Sequence, residues 1–222
     1  MPRVERGVGP HPWRVDRVDQ GNLRDRTRVD IAISISWWSW FITWLRRLLA
    51  RLLHILNELL GGWDRLTFTM QHQQQTQWCW AAVATSVSHY YNPSSTWNQC
   101  DVVNAELGQT TCCPDGSTSA CNQPWYLDLA LTRTGNFKNW AGGAAAFSIV
   151  DSEVDALRPL GARIGWSGGG GHFVILAGYL EGATNYVAVE DPWYGSSDVA
   201  FDTFNTAYQG TGSWTHTYYT KA

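Results

Sequence analysis

The sequence predicts an α+β domain, a helical half followed by an antiparallel β half, behind an N-terminal segment that is first apolar and then amphipathic. Two observations predict the domain. Four helical segments lie between Trp78 and Leu157, and from Ala162 onward the apolar residues change to a period of two. Helices and strands grouped in separate runs favour α+β over an alternating parallel sheet. A third observation, the charge, separates the domain from what precedes it. Residues 1–65 carry eleven arginines and seven acids, net +4, whereas 66–222 carry five Lys/Arg and twelve acids, net -7. With 44% hydrophobic and 16% charged residues, disorder of the whole chain is excluded. A total charge of -3 argues against a nucleic-acid partner.

Residues 1–30 are rich in Arg, Asp, Gly and Pro without a period, which predicts a disordered polar leader. Residues 31–45 are uncharged and Trp-rich. From Arg46 to Leu60, Leu48, Leu49, Leu52, Leu53, Leu56, Leu59 and Leu60 fall on one stripe, opposite Arg47, Arg51, His54 and Glu58. That is an amphipathic helix, stopped by Gly61-Gly62. No apolar run reaches the ~18 residues of a membrane span. Trp beside Arg suits a membrane interface, so residues 31–60 are expected to contact a membrane surface or to direct export. Packing onto the body is the alternative, and a mis-assigned start is another. The organisation expected is a leader over 1–30, a helical segment over 31–64 acting as signal, interface anchor or pro-segment, and a folded domain over 65–222.

Within that domain Trp78–Tyr91 predicts a helix ended by Asn92-Pro93. Thr96–Leu107 and Trp125–Thr134 follow, then Ser148–Leu157, with Ser148 as cap and Pro159 as stop. Strands are predicted over Ala162–Trp166, His172–Tyr179, Tyr186–Glu190, Asp198–Phe204 and Trp214–Thr220, with Gly- or Asn-rich turns between them.

Three segments carry chemistry. Gln73-Gln74-Gln75-Thr76-Gln77-Trp78-Cys79-Trp80-Ala81-Ala82 places a cysteine in the first turn of a helix, where unpaired N–H groups and the helix dipole favour a thiolate. Gln73, six residues earlier, offers an amide donor for an oxyanion beside the sulfur. On this segment alone a small buried hydrophobe remains an open reading of Cys79. Gly168-Gly169-Gly170-Gly171-His172 delivers a histidine from a flexible loop onto an apolar strand. The next strand exits at Glu190-Asp191-Pro192-Trp193, so in a hairpin Asp191 stands beside His172 and can fix its tautomer.

Together these segments resemble the papain-like cysteine proteases. His172-Phe-Val-Ile-Leu-Ala-Gly-Tyr is similar to that family's histidine strand. Trp78-Cys79-Trp80-Ala81-Ala82, with Asp191-Pro192, resembles the compact bacterial branch typified by a plant-pathogen avirulence protease, related to the bacteriocin-processing peptidases. The resemblance covers about residues 66–222. It implies a cysteine endopeptidase with Cys79 as nucleophile, His172 as general base and then acid, Asp191 as orienting group and Gln73 as oxyanion donor. A small register shift would implicate Gln74 or Gln75 instead. The implied substrate is a protein or peptide, with no metal and no cofactor. The chain departs from the plant-type pattern in two ways: His172 follows Cys79 by 93 residues rather than roughly 130–150, and the third member is Asp rather than Asn.

An amidase or acyltransferase on the same three residues is the nearest rival, and a catalytically silent binding module is another. Trp78, Trp80, Gly170, Gly171 and Trp193 are candidates for the cleft. Cys100, Cys112, Cys113 and Cys121 lie within 22 residues, and adjacent Cys112 and Cys113 are expected to take different partners. No Cys-x-x-Cys pair is present for a zinc tetrahedron. Disulfides in similar segments of the family imply an oxidising compartment, hence a secreted or envelope-associated protein. Leu59-Leu60-Gly61-Gly62 resembles the double-glycine end of processed leaders, which implies removal of residues 1–62. A glycine helix cap is the alternative. The sequence specifies no oligomeric state.

Overall fold

The computed structural model describes residues 41–49, Leu52 and 62–222. The chain divides into two units, residues 1–50 and 51–222. In the first, residues 41–49 are helical and exposed. The polar leader over 1–30, the first part of the apolar stretch and most of the Arg46–Leu60 helix lie outside the described residues. So does Gly61.

Residues 62–222 hold five helices and seven strands. They run β1 (Asp64–Arg65), α1 (Cys79–Tyr91), α2 (Gln99–Leu107), α3 (Leu127–Arg133), β2 (Phe137–Gly142), α4 (Phe147–Asp155) and β3 (Leu160–Trp166). Then come β4 (Gly171–Leu180), β5 (Tyr186–Asp191), β6 (Gly195–Ala200), α5 (Phe201–Ala207) and β7 (Gly212–Thr220). All pairings are antiparallel, in the order β2-β7-β3-β4-β5-β6. The fold is α+β. Strand β1 continues the β3 side of β4, pairing Asp64 with Tyr179 beyond the point where Leu160 meets Leu176. Gly178 makes that approach possible, because a Cβ there would lie 2.5 Å from the Asp64 carbonyl oxygen.

Two cores flank the sheet. Helices α1, α2 and α3 pack on Phe173, Ile175, Ala177 and Tyr218, whereas Val150, Val154 and Phe204 pack on Val174, Leu176, Val187 and Val189. Strand β4 is therefore covered on both faces, which is why its sequence is an unbroken apolar run instead of an alternating one. Helix α1 is buried from Cys79 through Ser88, and Ala81, Ala82 and Ala84 allow neighbours close to its axis. Helix α2 starts at Gln99 instead of Thr96, because the Asn98 side chain accepts from Asp101 N, and it ends at left-handed Gly108.

Three further elements differ from the sequence expectations. The expected strand Asp198–Phe204 splits into β6 and α5, because Phe201 and Phe204, three residues apart, both turn onto Trp214. Ser148 does not cap α4: it lies inside the helix, which begins at Phe147 after Ala146 with no side-chain cap. Strand β2 was not expected, since it is an edge strand exposed at nearly every position and carries no apolar alternation.

Candidate active site

Cys79 is the first residue of α1 and the one free thiol of the five cysteines. Its own N–H, with those of Trp80 and Ala81, has no intrahelical acceptor. His172, the second residue of β4, meets it from the sheet side. Register places Asp191 at the end of β5, one strand away, on the side of the sheet that His172 occupies.

The imidazole Nε2 donates to Asp191 Oδ1 at 2.8 Å, which leaves Nδ1 for Cys79. Asp191 is buried and accepts three further hydrogen bonds. Trp193 N (2.7 Å) and Tyr194 N (2.9 Å) donate to Oδ1, and the Tyr208 hydroxyl donates to Oδ2 at 2.8 Å. Burial opposes the charged form of His172, but the hydrogen bonds and negative charge of Asp191 and Cys79 outweigh it and carry the imidazole from 6.5 up to about 9. Burial would likewise raise Asp191. The His172 hydrogen bond and charge, then the Tyr194 and Trp193 amides, hold the carboxyl below its ordinary value instead.

Gln73 is buried, whereas Gln74 is exposed and Gln75 half-exposed. Its backbone N–H donates to Pro192 O at 2.9 Å, tying the segment before Cys79 to the turn after Asp191. Both amide protons go to loop carbonyls, Gln75 O at 2.8 Å and Thr76 O at 3.0 Å, and Oε1 is buried without a partner.

A family model described as papain-like cysteine protease AvrRpt2 (Peptidase_C70) matches residues 62–209. The chain belongs to this family. It is a papain-like cysteine peptidase. Among solved structures, a double glycine motif protease from an AMS/PCAT transporter, in complex with the leader peptide, is 20% identical. That match covers 72% of this chain and 95% of the other, with a TM-score of 0.41. No curated protein matches.

The remaining candidate residues divide sharply. Trp193 is exposed and stacks on the His72 ring at 5.8 Å, and Gly170 and Gly171 stand exposed beside His172. Trp78 and Trp80 do not line a cleft. They are fully buried, and their indoles donate to Cys121 O (2.9 Å) and Gln123 O (3.0 Å), because a buried indole N–H needs an acceptor. The carbonyls that receive them belong to the cysteine-rich loop, closed by Cys100–Cys113 and Cys112–Cys121. Asn122 adds two more ties, accepting from Gln77 N and donating to Thr76 Oγ1. Gly116 packs against the Trp78 ring, where a Cβ would stand 2.5 Å from it.

Four neighbours were missed in the sequence. Trp166 stacks over His172 at 6.2 Å and 22°, Tyr194 meets the imidazole edge-on, His72 covers Trp193, and Tyr208 holds Asp191. Trp166 and Tyr194 flank the two motifs closely and were findable. Tyr208 follows a segment misread as strand, so nothing pointed it inward.

Proposed function

We propose that the peptidase hydrolyses internal peptide bonds through Cys79, His172 and Asp191. One observation carries this reading: Asp191 occupies Nε2 of His172, which leaves the other ring nitrogen available to the neighbouring free thiol at the start of α1. In the reaction the thiol proton passes to His172, and the imidazolium is stabilised by the buried carboxylate. The thiolate attacks the substrate carbonyl carbon, a C–S bond forms, and the carbonyl π pair moves to oxygen. That oxyanion is met by the Cys79 N–H and by the Gln73 amide, which redirects one proton from a loop carbonyl. The C–N bond then breaks as His172 protonates the leaving amine. Water, deprotonated by His172, attacks the thioester. The C–O bond forms, the C–S bond breaks, and the thiolate–imidazolium pair is restored.

Labelling with a thiol-directed epoxide tests the reading. Cys79 is expected to be modified selectively in the wild type, more slowly in His172→Ala and not at all in Cys79→Ala. Equal labelling in the wild type and His172→Ala would refute the pairing.

The helix over 41–49 supports a second role, contact with an anionic membrane surface. Phe41, Ile42, Trp44, Leu45, Leu48 and Leu49 are all exposed beside Arg46 and Arg47. No helix among the described residues is long and apolar enough to cross a membrane. Co-flotation with anionic but not neutral vesicles is the expected result, and its absence refutes the contact.

A further inference from the structure

The Asp191 carboxylate is held unevenly. Oδ1 receives three donors, the His172 imidazole and the Trp193 and Tyr194 amides, and Oδ2 receives Tyr208. The two amides come from the turn that Asp191 itself begins, so they anchor one oxygen and leave the carboxylate free to swivel about it. Tyr208 comes from elsewhere in the chain. It follows α5 and is clamped to β7 by a pair of backbone hydrogen bonds with Gly212, each 2.8 Å. Its ring packs on Phe204 at 5.3 Å, and the residue is 1% exposed. A hydroxyl so fixed has one geometry to offer. Burial and the Asp191 charge raise its pKa well above the ordinary phenol value, so it remains a donor.

We propose that Tyr208 is a positioning residue for hydrolysis, its hydroxyl fixing the plane of the Asp191 carboxylate so that Oδ1 is presented to His172 Nε2. The proposal rests on the reading of Cys79, His172 and Asp191 as the catalytic group. It makes the α5–β7 junction part of the machinery. Without the hydroxyl, the buried Oδ2 loses the hydrogen bond it receives. The carboxylate then turns to seek another, and the imidazole loses its fixed orientation.

The test uses the full chain with a peptide substrate and a double-mutant cycle. Tyr208→Phe keeps the ring and is expected to lower kcat about tenfold with KM within about twofold, the scale of one hydrogen bond to a charged group. In an Asp191→Ala background the same change should alter kcat less than about twofold, because there is no carboxylate left to position. The downfield proton NMR signal of the His172–Asp191 hydrogen bond should shift in Tyr208→Phe. An equal loss in both backgrounds, or an unchanged kcat and NMR signal, overturns the proposal. If Tyr208→Phe does not fold, 3-fluorotyrosine at position 208 keeps the packing and strengthens the donor. The NMR signal must then move, and an unmoved signal with unchanged kcat overturns the proposal equally. Full activity of His172→Ala or Asp191→Ala would refute the catalytic reading itself, a result distinct from any of these.

Discussion

The two halves that meet at the site are held by different means. On the Cys79 side, the turn before the thiol is fastened by indole and amide hydrogen bonds to a loop with little regular structure. Two disulfides shape that loop. On the His172 side, sheet register sets His172 and Asp191 on neighbouring strands, and four donors fix the carboxylate. One half relies on cross-links between residues close in sequence, the other on pairing between strands. The Cys79 side is therefore the one exposed to redox state, and the His172 side the one exposed to pH. The halves are tied together near the site by Gln73 N to Pro192 O and by His72 on Trp193.

The largest expected effect removes the comparison altogether. Cys79→Ala and His172→Ala should each lower kcat by about 10⁴ or more, and the double variant should be no worse, because the two act as one unit. Additive losses in a peptide-hydrolysis assay would show that they do not. Asp191→Ala should cost no more than either, on the order of 10⁴ in kcat. Asp191→Asn should cost less, since an amide oxygen can still accept from Nε2, but it removes the charge. Its signature is the alkaline limb of the kcat/KM profile, near pH 9 in the wild type and at lower pH in the variant. The folded value lies above the unfolded 6.5. His172 protonation therefore stabilises the fold fully below about 6.5, and that contribution fades as pH rises through about 9.

Gln73→Ala should reduce kcat about 10²-fold, the scale of one oxyanion donor, with KM little changed. A loss confined to KM would return Gln73 to a purely structural role in the loop. The smallest effects on chemistry belong to the disulfides, where stability is the readout. Replacing Cys112 and Cys121 by Ser should cost about 2–4 kcal/mol. It should also lower kcat more than the same change at Cys100 and Cys113. Cys112–Cys121 is buried and carries the carbonyl that receives Trp78, whereas Cys113 is exposed. Equal kcat losses from the two pairs would remove the special link between that loop and the nucleophile.

Much of this was legible in order and spacing. Cys79 at a helix start, His172 at a strand start and Asp191 at a strand exit could be placed because each lies at an element boundary. Pro, Gly and the change of hydrophobic period mark such boundaries. The glutamines were harder. Three in a row have the same chemistry, and burial singles out Gln73 while also showing its amide spent on the loop. The tryptophans misled, because Trp78 and Trp80 beside a nucleophile look like cleft residues. Their burial is set by the loop that packs over them, more than 40 residues downstream.

The sequence by itself determined the α+β plan, the charge boundary near residue 65, the separation of four paired cysteines from one free thiol, and the three residues at the centre. The plan and the charge boundary are properties of composition, period and spacing, which are local, whereas the disulfide cysteines and the roles of the three residues came from a family resemblance carried by short motifs. Only the tertiary structure decided the pairing Cys100–Cys113 and Cys112–Cys121, the helical turn at Phe201, and the burial of two tryptophans. It also supplied Tyr208 as the donor on Asp191 Oδ2. Each depends on contacts between residues distant in the chain, and such contacts leave no mark on local period or spacing.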